Sequence, residues 1–152
     1  MKQRTQAGGD LTIKSDALRQ LAWFRYRVRR FLRFSEKAAR TCGITPQQHQ
    51  LLLGVAGYTG RGWATISELA EFLQERHNAV VGLVQRAAER GLVRKLPGQR
   101  DRRFVKVHLT HRGITILEKV SRVNIAELRE LQLDILNSPQ SPPRDIPAAQ
   151  GT

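Results

Sequence analysis

Residues 65–91 read TISELAEFLQERHNAVVGLVQRAAERG, and this stretch decides the fold. Thr65-Ile66-Ser67-Glu68 has the pattern of a capping box. A threonine hydroxyl accepts the amide three residues on, and a glutamate reaches back to the cap's own amide. The box opens a short helix with Ile66, Leu69, Ala70 and Leu73 turned inward. A tight turn follows at Gln74-Glu75-Arg76. Val80, Leu83, Val84 and Ala87 then recur at helical spacing until Gly91 stops the run. Two helices joined by so short a turn form a helix-turn-helix. The spacing leaves the start of the second helix open between Gln74 and Asn78.

Upstream, Ser15 is a candidate N-cap for a long first helix to about Thr41. Leu18, Leu21, Ala22, Val28, Phe31, Leu32, Ser35 and Ala39 recur along it. It is aromatic-rich, with Trp23, Phe24, Tyr26, Phe31 and Phe34, and needs a partner to bury it. Thr45-Pro46-Gln47-Gln48 is a second capping box, with proline at the first helical position. Its helix turns Leu51, Leu52 and Val55 inward and ends across Gly57 to Gly62.

Downstream, Leu92 to Leu96 reads as a strand, and Phe104 to Leu109 alternates as a second one. The basic tip Pro97-Gly98-Gln99-Arg100-Asp101-Arg102-Arg103 joins them into a hairpin, which after a helix-turn-helix is a wing. Thr110 caps a last helix to about residue 136. The fold class is therefore mainly α with a small β-hairpin wing: a winged helix-turn-helix with long terminal helices. Residues 1–14 read as a flexible arm, 15–137 as one domain with its DNA-binding lobe at about 45–110, and 138–152, rich in Pro, Gln and Ala, as a disordered tail.

Charge points to the partner. The chain of 152 residues carries a net +13. Residues 16–40 contribute +6 and residues 75–112 contribute +7, so the two blocks hold the whole excess. Positive charge gathered in this way favours a polyanion, and nucleic acid is the commonest. On the second helix of the pair, His77, Asn78, Val81, Gly82 and Gln85 point outward. Asn and Gln amides can pair with adenine, and Val81 can pack on a thymine methyl. Gly82 lets the helix approach DNA closely. Arg76 and Arg86 suit phosphates, as do Ser67 and the wing's Arg100, Arg102 and Arg103.

The ordered set of landmarks resembles the MarR family across roughly residues 18–130. Ile66-Ser67-Glu68-Leu69-Ala70-Glu71-Phe72-Leu73 is similar to the family's helix before the turn. Gly91-Leu92-Val93 resembles its recognition-helix exit. Asp101-Arg102-Arg103 is similar to its wing motif, and Leu109-Thr110-His111-Arg112-Gly113 to the start of its post-wing helix. The resemblance implies a homodimeric transcriptional repressor on double-stranded DNA. Its terminal helices would pair, each recognition helix would enter the major groove of a pseudo-palindrome, and a wing arginine, Arg100 or Arg102, would enter the minor groove. Asp101 would anchor that arginine. The resemblance also implies release by a small anionic or aromatic effector, and Trp23, Tyr26 and His49 are candidates to line its pocket. The turn Gln74-Glu75-Arg76 departs from the family's usual glycine and cap. The family usually carries a second C-terminal helix, which the sequence from Ser138 onward is not expected to supply.

Other functions find less support. No phosphate loop, nucleophile motif or paired carboxylates suggest an enzyme, and nothing calls for a cofactor. His108 and His111 lack a thiolate or carboxylate nearby, so no metal is expected. Cys42 next to Arg40–Thr41 reads as a small packed residue before it reads as a redox switch. No apolar run approaches a membrane span and no apolar signal region follows the first charges, so a cytoplasmic chain is expected. The alternative function is a non-specific architectural DNA-coating protein, which the charge supports equally well.

Overall fold

The computed structural model describes residues 11–98, 100 and 104–143. Helix α1 spans Ser15–Thr41, with Asp16 in its first turn and Arg40 in its last, both favourable to the helix dipole. Ser15 is already helical. The Lys14 carbonyl accepts from Ala17 and Leu18, so the helix begins one residue earlier than a Ser15 cap requires. Helix α2 spans Pro46–Leu53, and both bonds of its capping box are present. It continues into a π-helical turn at Gly54–Tyr58.

Helix α3 (Ile66–Leu73) also carries a complete capping box, from Thr65 and Glu68. Helix α4 (His77–Glu89) follows, and α5 runs from His111 to Asn137. The Thr110 hydroxyl accepts from the Gly113 amide at 3.0 Å, which is the cap expected for α5.

The sheet corrects the sequence reading. The expected hairpin strands are β2 (Val93–Pro97) and β3 (Val105–Leu109), but a further strand, β1 (Trp63–Thr65), joins them. The order is β1-β3-β2, all antiparallel, with Trp63 opposite His108 and Arg94 opposite His108 from the other side. Three residues are too few to show strand alternation. β1 exists because β3 offers it an edge.

The chain divides into two compact units. Residues 32–127 enclose the core, in which Leu51, Leu52, Val55, Leu69, Val80, Val84, Leu92, Val107 and Val120 are fully buried. Cys42 is half-buried, free, and packed against this core. On α5 the buried positions are Gly113, Leu117, Val120 and Asn124, whereas Ile114 and Ile125 are exposed.

The other unit takes in the chain through Phe31 and from Leu128 onward. Arg27 is buried there, 3% exposed. Its Nη2 donates to the carbonyls of Ser138 and Ser141, both at 2.7 Å, and its Nε lies 3.8 Å from the Asp134 carboxylate. The segment just past α5, placed in a disordered tail by composition, thus supplies acceptors to a buried cation as far as Ser141. Residues 1–10 of the expected arm and 144–152 of the expected tail lie outside the described residues.

Candidate nucleic-acid interface

Helix α4 is positioned by its apolar stripe. Val80, Leu83, Val84 and Ala87 are buried, which turns the opposite face to solvent. Arg76, His77, Asn78, Val81, Gln85 and Arg86 are exposed and Gly82 is half-buried, as the helical spacing predicts. Added to Gly82, a Cβ would meet only the end of the flexible Arg86 side chain, at 3.2 Å. The open start of this helix is now placed. Gln74 closes α3 in the left-handed region with φ 53°, and Arg76 is the N-cap of α4 without a side-chain cap bond. Asn78 is the second helical residue, so its amide does not cap the helix. Gln74 occupies the backbone conformation for which glycine is usual, which costs about 1 kcal/mol or more.

Ser67 is exposed in the first turn of α3. Arg100 is exposed at a bend between the wing strands. Arg102, Arg103 and Asp101 lie outside the described residues. Trp23 and Tyr26 form an edge-on pair with centroids 5.4 Å apart in the unit with the chain ends. His49 belongs to the other unit and is 3% exposed. Its Nε2 is buried without a hydrogen-bond partner, and burial holds its pKa below the ordinary imidazole value.

The roles of Lys95, Glu89 and Arg90 were not legible from the sequence. Gln85 is exposed, yet both ends of its amide are engaged: Oε1 accepts from Lys95 Nζ of β2, and Nε2 donates to Glu89 at 3.2 Å. Helix α4 is thus tied to a wing strand through one of the side chains expected to read bases. Arg90 also serves the fold, donating to Gln48 Oε1 at 2.8 Å and to the Gly43 carbonyl at 2.7 Å.

On the sheet's outer face, the Arg61 guanidinium lies 3.9 Å from the Trp63 ring centroid and Lys106 Nζ lies 4.4 Å from it. Arg61 is held by both oxygens of Glu68, at 2.6 and 2.7 Å. The Glu68 pKa is lowered, first by the Thr65 amide it accepts and then by Arg61. His108 is also held below its ordinary value, by burial and then by Arg94 and Lys106. Among the described residues, no group of three or more His, Cys, Asp or Glu could hold a metal, and no helix is long and apolar enough to cross a membrane.

The geometry is that of a winged helix-turn-helix, and residues 43–103 match the MarR family. That segment resembles the MarR-family winged helix. Solved structures share its fold. AbsC, a MarR family transcriptional regulator from Streptomyces coelicolor, is 23% identical, with TM-score 0.66, over 84% of this chain and 86% of its own. A mutant MarR from E. coli complexed with operator DNA is 24% identical, with TM-score 0.62, over 83% and 87%. The transcriptional regulator Tm0710 from Thermotoga maritima is 26% identical, with TM-score 0.58, over 80% and 82%. No curated protein sequence matches the chain. The family match covers the segment from just before α2 into the wing.

Proposed function

We propose that this chain is a sequence-specific, DNA-binding transcriptional regulator, acting as a dimeric repressor on a pseudo-palindromic operator. The observation that carries the reading is the solvent face of α4. Arg76, His77, Asn78, Val81, Gly82 and Arg86 stand there around uncharged groups suited to base edges, flanked by cations suited to phosphates. Arg100 on the wing, with Asp101, Arg102 and Arg103 next to it in sequence and Ser67 at the start of α3, extends the contact. Binding of operator DNA by an E. coli relative of the same fold supports it. Selection of bound sequences from a random duplex pool tests it. A palindromic consensus is expected; recovery of no consensus would favour the architectural coating protein instead.

Dimerisation is proposed through the terminal helices. In the unit that holds the chain ends, Leu21, Phe24, Leu133 and Leu136 are exposed, more apolar surface than a lone subunit usually leaves bare. An isologous pairing would bury it. Sedimentation at micromolar concentration should give a dimer, and a clean monomer would remove the palindrome. A small anionic or aromatic effector belongs to the same reading. It is tested by release of DNA on titration with aromatic carboxylates.

A further inference from the structure

We propose that the outer face of the three-stranded sheet, with Arg94, Lys106 and His108 set around Trp63, is a second contact surface for DNA phosphates, separate from α4. The inference rests on the nucleic-acid reading above and extends it to a surface that the sequence did not indicate.

Register places these groups together. Trp63, His108 and Arg94 form one row across β1, β3 and β2. Thr65, Lys106 and Leu96 form the next row on the same face, a two-residue step or about 6.7 Å away. Alternation turns Ala64 and Val107 into the core, and on the opposite face leaves Trp63, Lys106 and His108 half-buried and Arg94 exposed. Trp63 organises the cations, with Lys106 and Arg61 both packed against its ring.

The charges on the face differ in state. Arg61 is neutralised by Glu68. Among the described residues, no ion pair engages Arg94 or Lys106. Both lie close enough to His108 to add to the effect of its burial in disfavouring its protonation. Fixed cations held near one another without counter-charge are relieved by an external polyanion.

The strands themselves favour DNA over an acidic polypeptide. Arg94 and Lys106 stand on β2 and β3, the strands that project the wing and its Arg100. A duplex contacting the wing would therefore meet these cations on the same rigid element. A protein partner would need a bare aromatic anchor, since leucines such as the exposed Leu96 on this face seldom serve as one. The Trp63 ring, packed against Arg61 and Lys106, offers little bare surface for that role.

The test is the salt dependence of binding to sheared, mixed-sequence duplex DNA, for wild type and the double variant R94Q/K106Q. Each phosphate contact contributes about 0.9 to the slope of log affinity against log salt, so the slope should fall by about 1.8. The base preference selected from a random pool should not change. The variant K119Q/R122Q removes two exposed charges from α5 and should leave the slope near wild type. An unchanged slope in R94Q/K106Q would overturn the proposal. If binding to poly-glutamate then fell in that variant, the face would belong to an acidic polypeptide. Equal slope losses in both double variants would also overturn it, since the effect would be one of net charge. Wild-type protein that bound no duplex at all would sink the nucleic-acid reading first, and this inference with it.

Discussion

Arg90 and Gln48 meet at 2.8 Å, and the bond joins the end of α4 to the start of α2. The same Gln48 oxygen accepts the Thr45 amide at 3.1 Å, so one side chain closes a capping box and receives a cation from the recognition helix. By composition Arg90 belongs to the basic block that points to a polyanion. In the structure its guanidinium is used inside the fold.

That relationship separates stability from DNA affinity. Arg90→Ala should lower stability by about 1 kcal/mol, a bond from a charged donor discounted for its exposure. The salt slope for duplex DNA should stay at the wild-type value. Thermal melting and salt titration on the same variant check this. A fallen slope with unchanged melting would return Arg90 to the DNA surface.

Gly113 decides how α5 begins. A Cβ there would sit well inside 3.0 Å of the Leu92 carbonyl oxygen, a backbone atom fixed at the start of β2. The Thr110 amide also donates to that carbonyl, at 3.1 Å, so the crowding cannot be relieved by moving one side chain. Gly113→Ala should cost about 2–3 kcal/mol through overpacking. Urea unfolding would show the loss as a lower midpoint. A change below about 0.5 kcal/mol, within the range of ordinary surface substitutions, would mean that α5 shifts freely on β2.

Asn78 and Gln85 should differ as base readers. Asn78 is free of any capping duty, whereas the Gln85 amide is shared between Lys95 and Glu89. Asn78→Ala should reduce affinity for the selected operator by about 1–3 kcal/mol at one base position per half-site, with random-DNA affinity and melting temperature nearly unchanged. Gln85→Ala should give the smaller loss of base preference. A single-base operator series on both variants decides it, and a larger effect at Gln85 would reverse the assignment.

His49 links stability to pH. Its folded pKa is below 6.5 because burial disfavours the imidazolium. Above the unfolded pKa both states are neutral there and the residue adds no pH dependence. As pH falls below about 6.5 the unfolded chain binds a proton that the folded chain resists, so stability is lost until the folded pKa is passed. Replacing His49 with Leu, which also removes the unpartnered buried Nε2, should flatten the stability curve below about pH 6.5. An unaltered acid limb in His49→Leu would assign the sensitivity to another group.

Much of the architecture was legible because its signals are local. A capping box spans four residues, so Thr45–Gln48 and Thr65–Glu68 announce α2 and α3 without any long-range contact. The stripe Val80, Leu83, Val84 and Ala87 orients α4 by its own periodicity, and the solvent face of that helix follows from it. Gly91, at φ 68°, marks the exit from α4 because few other residues take that conformation without strain.

Contacts between elements distant in sequence left no such mark. Trp63–Thr65 is too short to declare itself a strand and is defined only by the edge of β3, more than 40 residues later. Nothing in the local pattern says that Arg90 serves Gln48, that Lys95 occupies the Gln85 amide, or that Arg27 reaches Ser138 and Ser141. A basic side chain carries the same charge wherever it points, so composition counts it toward a polyanion until packing shows which cations the fold consumes. Periodicity and capping chemistry fix the elements and their exposed faces within a few residues of chain, whereas the partners of each charged group depend on which elements meet in space.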